Sequence, residues 1–93
     1  TEIYTLSLHD ALPILASDVS LALHKLDAIS VLNQVSVSIA SIEPYGAGKQ
    51  LVTLRTADGQ QLLSEVTEKA VHKLALTQGQ SVVALIKAVA LVD

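Results

Sequence analysis

Two short β-type runs, 50–56 and 61–66, are separated only by Ala57-Asp-Gly-Gln60. Asp-Gly between such runs is a strong β-hairpin signal, because glycine accepts the positive φ that matches the twist of paired strands. Strict alternation appears upstream. Val35, Val37 and Ile39 share one face of a strand over 34–39, with Ser36 and Ser38 on the other. Val19, Leu21 and Leu23 alternate in the same way over 17–23. Ile42 breaks the phase, and one extra residue at Ala40 or Ser41 restores it, which predicts a β-bulge and a bent strand. Residues 24–29 read as a connector, and the Pro and Gly content of 43–49 reads as a loop. Over 67–76 the period changes: Val71, Leu74 and Ala75 make a short helical stripe, with Thr67 at the N-cap and Glu68 in the first turn. Gln78-Gly-Gln80 turns the chain into a last strand, 81–92, apolar on both faces and therefore central or at an interface. The expected fold is all-β, β-rich with one short helix, as an OB-like five-stranded barrel.

Ninety-three residues hold one domain, and a chain this small buries only a modest share of its surface unless a disulfide, a metal or a partner helps. There is no Cys, and His9, His24 and His72 share no ligand spacing. Oligomerisation is the remaining route, and the 51% hydrophobic content, without Phe, Trp or Met, supplies an aliphatic core. A net charge of −3 argues against a nucleic-acid partner, as does the presence of only two aromatic residues, Tyr4 and Tyr45. The longest apolar run, 82–92, is interrupted by Lys87 and falls short of the roughly 20 residues that cross a bilayer. A soluble protein is expected.

The segment Tyr4-Thr-Leu-Ser-Leu-His-Asp-Ala-Leu-Pro-Ile14 resembles the conceptual translation of a common sequencing-adapter oligonucleotide. A secretory signal would need a basic start and an unbroken apolar stretch, but His9 and Asp10 interrupt it. A genuine amphipathic helix is the other alternative. Residues 1–14 are therefore read as an artefact outside the domain, 15–28 as a lead-in strand and connector, and 29–93 as the domain itself. Without Glu2 and Asp10 the chain has six basic and seven acidic residues, a net −1. The expectation is the tail of a longer protein.

Enzyme readings fail on the residues. Gly46-Ala-Gly-Lys49 resembles the end of a phosphate-binding loop, but the glycine required five positions before Gly48 is Glu43, and Gln50 replaces the hydroxyl expected after Lys49. No histidine has a Ser or Cys partner motif, and no carboxylate pair stands out. Glu65 and Glu68 flank a helix start, where acidic residues ordinarily compensate the dipole. Lys87 shares a strand face with Val83, Leu85, Val89 and Leu91, so it either snorkels to the barrel rim or meets an anion.

Four segments, Ile29-Ser-Val-Leu-Asn-Gln34, Leu63-Ser-Glu-Val-Thr67, Leu74-Ala-Leu-Thr-Gln-Gly79 and Ala84-Leu-Ile-Lys-Ala-Val89, resemble successive landmarks of the molybdate-binding Mop/TOBE family, in order and at similar spacing. Ser17-Asp-Val-Ser-Leu-Ala-Leu23 resembles the segment that precedes this domain in the ATPase subunit of molybdate ABC importers. The resemblance implies an oxyanion pocket between subunits. One subunit would give Ser30, Val31, Leu32 and Asn33 at the start of a strand, together with Lys87; another would give Thr67. A tetrahedral dianion needs donors from several directions. The hydroxyls of Ser30 and Thr67, the Lys87 ammonium and backbone N–H groups near Val31 and at the helix start provide them.

Two departures weaken the pocket. Many members carry Arg where this chain has Leu32, and a hydroxyl residue where it has Ala70. The resemblance therefore implies a molybdate- or tungstate-binding regulatory domain of a transporter ATP-binding subunit, on the cytoplasmic face of the membrane. It implies no catalysis, no cofactor and no directly coordinated metal. The implied partners are a homodimer or higher homo-oligomer, and a membrane permease only through the missing parent domain. A ligand-free dimerisation module is the alternative from another class, and a stand-alone molybdate storage protein is disfavoured by the segment 17–23. Related tail domains occur in sulfate, polyamine and sugar importers, so ligand identity rests on resemblance.

Overall fold

The computed structural model describes residues 4–5, 14–27 and 33–86. In chain order these form β1 (Tyr4–Thr5), β2 (Ile14–Leu15), a 3-10 turn (Ala16–Asp18), β3 (Val19–Ala22), β4 (Asn33–Pro44), β5 (Lys49–Thr56), β6 (Gln61–Thr67), α1 (Glu68–Leu74) and β7 (Ser81–Ile86). β1 and β2 form their own two-stranded ladder. The other five strands make one antiparallel sheet in the order β3-β7-β4-β5-β6. Four reversals along that order leave the two edges, β3 and β6, running in the same direction. The sheet curls until these edges meet, and the buried Ser64 hydroxyl of β6 donates to the Val19 carbonyl of β3. The result is the expected five-stranded barrel.

β4 makes the curl possible. Its first half pairs with β7, from Asn33 opposite Ile86 to Ser38 opposite Ser81, and its second half pairs with β5, from Val37 opposite Thr56 to Pro44 opposite Gln50. Between Ile39 and Ser41 the register with β5 shifts by one residue. Ala40 is thus the extra residue that the broken alternation predicts, and it returns Ile42 to the core side. The strand then continues to Pro44, so the expected loop over 43–49 is only four residues, 45–48. Proline is tolerated at a strand end, and Gly46 and Gly48, both at positive φ, make the short reversal possible.

The core is one aliphatic cluster of Val19, Val37, Ile39, Val52, Leu54, Leu62, Leu76, Val82, Ala84 and Ile86. Every strand of the five contributes, including β3 through Val19, which is 1% exposed. α1 buries none of its residues completely, but Val71 and Leu74 pack on the cluster and Leu76 follows as a plug. The helix stops because Ala75 turns left-handed (φ 53°, ψ 48°) and the N–H of Leu76 reaches back to the Val71 carbonyl at 3.0 Å. Val83 of β7 is also buried although it faces away from the core, as a strand apolar on both faces requires. The part of the expected last strand beyond Ile86, with Lys87, lies outside the described residues. Among the described residues no helix is long and apolar enough to cross a membrane.

The connector after β3 is tied down by one side chain. The Gln34 amide accepts from Leu26 N–H and donates to the Leu26 carbonyl, each at 2.8 Å. This reciprocal pair holds the connector to the start of β4, as a backbone partner would.

Candidate functional site

Thr67 ends β6 and caps α1. Its backbone is extended (φ −79°, ψ 151°) and its Oγ1 accepts from Ala70 N–H at 3.0 Å. That bond engages an acceptor lone pair and leaves the hydroxyl proton able to donate elsewhere. The N–H of Glu68 donates to the Gly48 carbonyl at 2.9 Å. Two first-turn N–H groups are therefore committed within the fold. The expectation that the helix start supplies donors to a ligand narrows accordingly to the Lys69 N–H and the Thr67 hydroxyl proton.

The Glu68–Gly48 bond also fixes the loop 45–48 against the helix start, with Tyr45 N–H closing the loop onto the Lys49 carbonyl at 2.9 Å. Lys49, the first residue of β5, stands directly opposite Thr67 in the ladder. Two residues back along β6, on the same face as Thr67, lies Glu65, whose Oε1 is 3.1 Å from Lys49 Nζ. A cation and a carboxylate thus sit beside the capping threonine. Neither is expected from the sequence, which puts Lys49 in the loop 43–49 and gives Glu65 the role of dipole compensation.

Behind Thr67 the barrel seam opens into a cleft of about 250 Å³ between β3, β6 and α1, lined mainly by Leu21, Val66, Leu74 and Leu76, with Glu65, Thr67 and Ala70 at its polar side. Ala70 leaves this side without a second hydroxyl. A second, more open hollow of about 340 Å³ lies over the outer face of β4, β5 and β7, with Ser36, Ser38, Ser81 and Arg55 among its lining residues. Among the described residues no group of three or more His, Cys, Asp or Glu could hold a metal ion.

Of the other expected site residues, Asn33 begins β4 opposite Ile86, so it adjoins the residue immediately before Lys87. Ser30, Val31, Leu32 and Lys87 themselves lie outside the described residues. Within one chain, Asn33 and Thr67 are not brought together: β4 and β6 run in the same direction on either side of β5, and Asn33 begins the one while Thr67 ends the other. Asp58, in the β5–β6 turn, has its carboxyl held below the ordinary value, chiefly by the hydroxyl of Thr56.

Comparison with known proteins agrees with this architecture. The Molybdenum import ATP-binding protein ModC of Rhodopseudomonas palustris is 41% identical over 81 residues, which cover 84% of this chain and 22% of that protein. ModC of Thiobacillus denitrificans is 41% identical over 80 residues, covering 85% and 22%. The chain therefore spans about a fifth of the length of these relatives. Among solved structures, the cytoplasmic molybdate-binding protein ModG with molybdate bound superposes with a TM-score of 0.71 at 34% identity, over 82% of this chain and 54% of that one. MopII from Clostridium pasteurianum shares the fold, with a TM-score of 0.59 at 24% identity over 70% of this chain and all of the other. The TOBE domain family model matches residues 29–92, and the chain belongs to the TOBE domain family.

Proposed function

We propose that this chain is a molybdate- or tungstate-binding domain that regulates the ATP-binding subunit of a molybdate importer. The observation that carries the reading is the likeness, at 34% identity, to a structure with molybdate bound, on a chain whose ModC relatives are molybdenum import proteins. The domain binds rather than catalyses, and needs no cofactor beyond the anion. In this reading Ser30, Val31, Leu32 and Asn33, with Lys87, act from one subunit, and Thr67 acts from another. The separation of Asn33 from Thr67 within one barrel supports a shared pocket, because the two stand at opposite ends of strands that run in the same direction. Sharing also couples occupancy to assembly, since an anion that binds only the assembled form stabilises it by mass action. The parent would work at the cytoplasmic face, reaching a permease through its ATPase domain.

Titration calorimetry tests the reading, with sedimentation equilibrium for the assembly. Molybdate and tungstate should bind more tightly than sulfate or phosphate. Sulfate has shorter bonds and sits further from fixed donors, and phosphate carries a proton that a donor-only pocket leaves unpaired. The protein should be at least a dimer at micromolar concentration. A monomer that gives no heat with millimolar molybdate would exclude the reading, whereas a dimer that gives none would be a structural dimerisation module.

A further inference from the structure

We propose that Lys49 is an anion-binding residue on the Thr67 side of the pocket and that Glu65 competes with the anion for it. The inference rests on the oxyanion-binding reading above, and deepens it by naming a cation and a carboxylate that set the affinity.

Three observations carry it. The β5–β6 ladder places Lys49 directly opposite Thr67 on one face, so the lysine stem spans the same few ångströms of surface as the threonine hydroxyl. The loop before Lys49 is fixed by the Glu68–Gly48 bond, so the base of that stem keeps its place relative to the helix start. The two partners of the ion pair also differ in freedom: the Lys49 side chain is 56% exposed, the Glu65 side chain 16%. The ammonium can swing on its flexible stem while the carboxylate stays where the strand holds it.

The consequence is a competition. A dianion at the Thr67 proton attracts Lys49 more strongly than a single carboxylate does, but it must displace that carboxylate and then tolerate it nearby. With Leu32 in place of a guanidinium, the pocket has few cations, so the partition of Lys49 between Glu65 and the anion sets much of the affinity. Glu65 also favours release, because it recaptures the ammonium as the anion leaves.

The test is calorimetry with sodium molybdate at low ionic strength on the full chain and on Lys49→Met, Glu65→Gln and the double variant. The ion pair keeps its lysine end in water and contributes little to stability, so all three should fold, and their melting temperatures check that they do. Lys49→Met should weaken binding roughly three- to tenfold and Lys49→Arg should keep it, as loss or retention of a charge-assisted bond at a solvent-accessible site requires. Glu65→Gln should tighten binding by a similar factor, but only while Lys49 is present; in the double variant the gain should vanish. Binding by Glu65→Gln alone, with none by the parent chain, would equally show that Glu65 masks Lys49. If Lys49→Met binds as the parent chain does while Thr67→Val weakens binding, the inference falls and the oxyanion reading stands. Equal tightening by Glu65→Gln with and without Lys49 would also overturn it, because Glu65 would then act by its own repulsion. If none of these proteins binds molybdate, both readings fall together.

Discussion

The hydroxyl of Ser64 and the carbonyl of Val19 join the two edges of the sheet, at residues that are 0% and 1% exposed. Serine in the middle of an inward-facing alternation (Leu62, Ser64, Val66) is costly unless its proton finds a partner, and here the partner is a backbone group on the neighbouring edge. Removing the hydroxyl leaves the carbonyl without its donor. Ser64→Ala should lower unfolding stability by about 1–3 kcal/mol, the scale for a buried group left unsatisfied. Chemical denaturation would measure this as an earlier midpoint with an unchanged slope.

Ala75 pays for its position with its Cβ, since it is the described non-glycine residue with positive φ. The left-handed region costs an L-residue about 1–2 kcal/mol, and glycine offsets part of that gain with its larger unfolded-state entropy. Ala75→Gly should therefore raise stability by a net of roughly 0.5–1 kcal/mol. Thermal unfolding should show a rise in Tm without loss of binding; a lower Tm would mean that the Ala75 backbone relaxes away from αL in solution.

The turn at Asp58 predicts a pH effect. Thr56 donates to Asp58, which stabilises the charged carboxylate and holds its pKa below the ordinary value. Because the folded value is depressed, the associated stability is present above the unfolded pKa and is lost as pH falls through the folded one. NMR titration should find Asp58 ionised at more acidic pH than an unperturbed aspartate, and Thr56→Val should move it back towards the ordinary value. The group is exposed, so the effect on the unfolding midpoint should be small.

The amino end makes a prediction of a different kind. If residues 1–14 are not part of the domain, deleting them should change neither the assembly nor the ligand response. The ladder of Tyr4–Thr5 with Ile14–Leu15 lies next to β6, which makes the experiment informative. A fall in Tm of more than about 4–8 °C would correspond to roughly 1 kcal/mol at this chain length and would show that the segment packs.

The proposed pocket makes Lys87 and Leu32 the positions to vary. Lys87→Ala should weaken molybdate binding by about 1.5–3 kcal/mol, the scale of a hydrogen bond to a charged group. Leu32→Arg should strengthen it, because a guanidinium restores a charge and a forked donor pair. Isothermal titration of both variants decides this; unchanged affinity for Lys87→Ala would remove that residue from the site.

Much of the barrel is legible in the sequence because period-two alternation fixes both the strand and its inward face. Val35, Val37 and Ile39 all face the core side, and the phase break before Ile42 locates the bulge. The helix is legible because Thr67 and Glu68 carry start signals that act within one turn. Strand ends are less so: β4 runs through Glu43 and Pro44, because their ladder to β5 outweighs the local signal of the proline. Contacts between distant segments are the least legible. Nothing local to Ser64 points to Val19, and nothing in Gln34 points to Leu26. Lys49 beside Thr67 was within reach, since the hairpin register counts outward from Arg55 opposite Gln61 to Lys49 opposite Thr67. The glycines around Lys49 masked it by ending the strand one residue too soon.

Ala40 gives β4 a strict length. Before it, odd-numbered residues face the core; after it, even-numbered ones do. Deleting this single residue would leave a plain alternation with Ile39 and Ile42 both inward, but it would remove the bulge and with it the bend by which β4 passes from β7 to β5. The four-residue loop that follows can gain or lose residues while its tip stays in solvent, but β4 cannot. Length changes among related chains should therefore collect at 45–48 and stop short of the bulge, which makes β4 a fixed ruler against which both halves of the barrel are aligned.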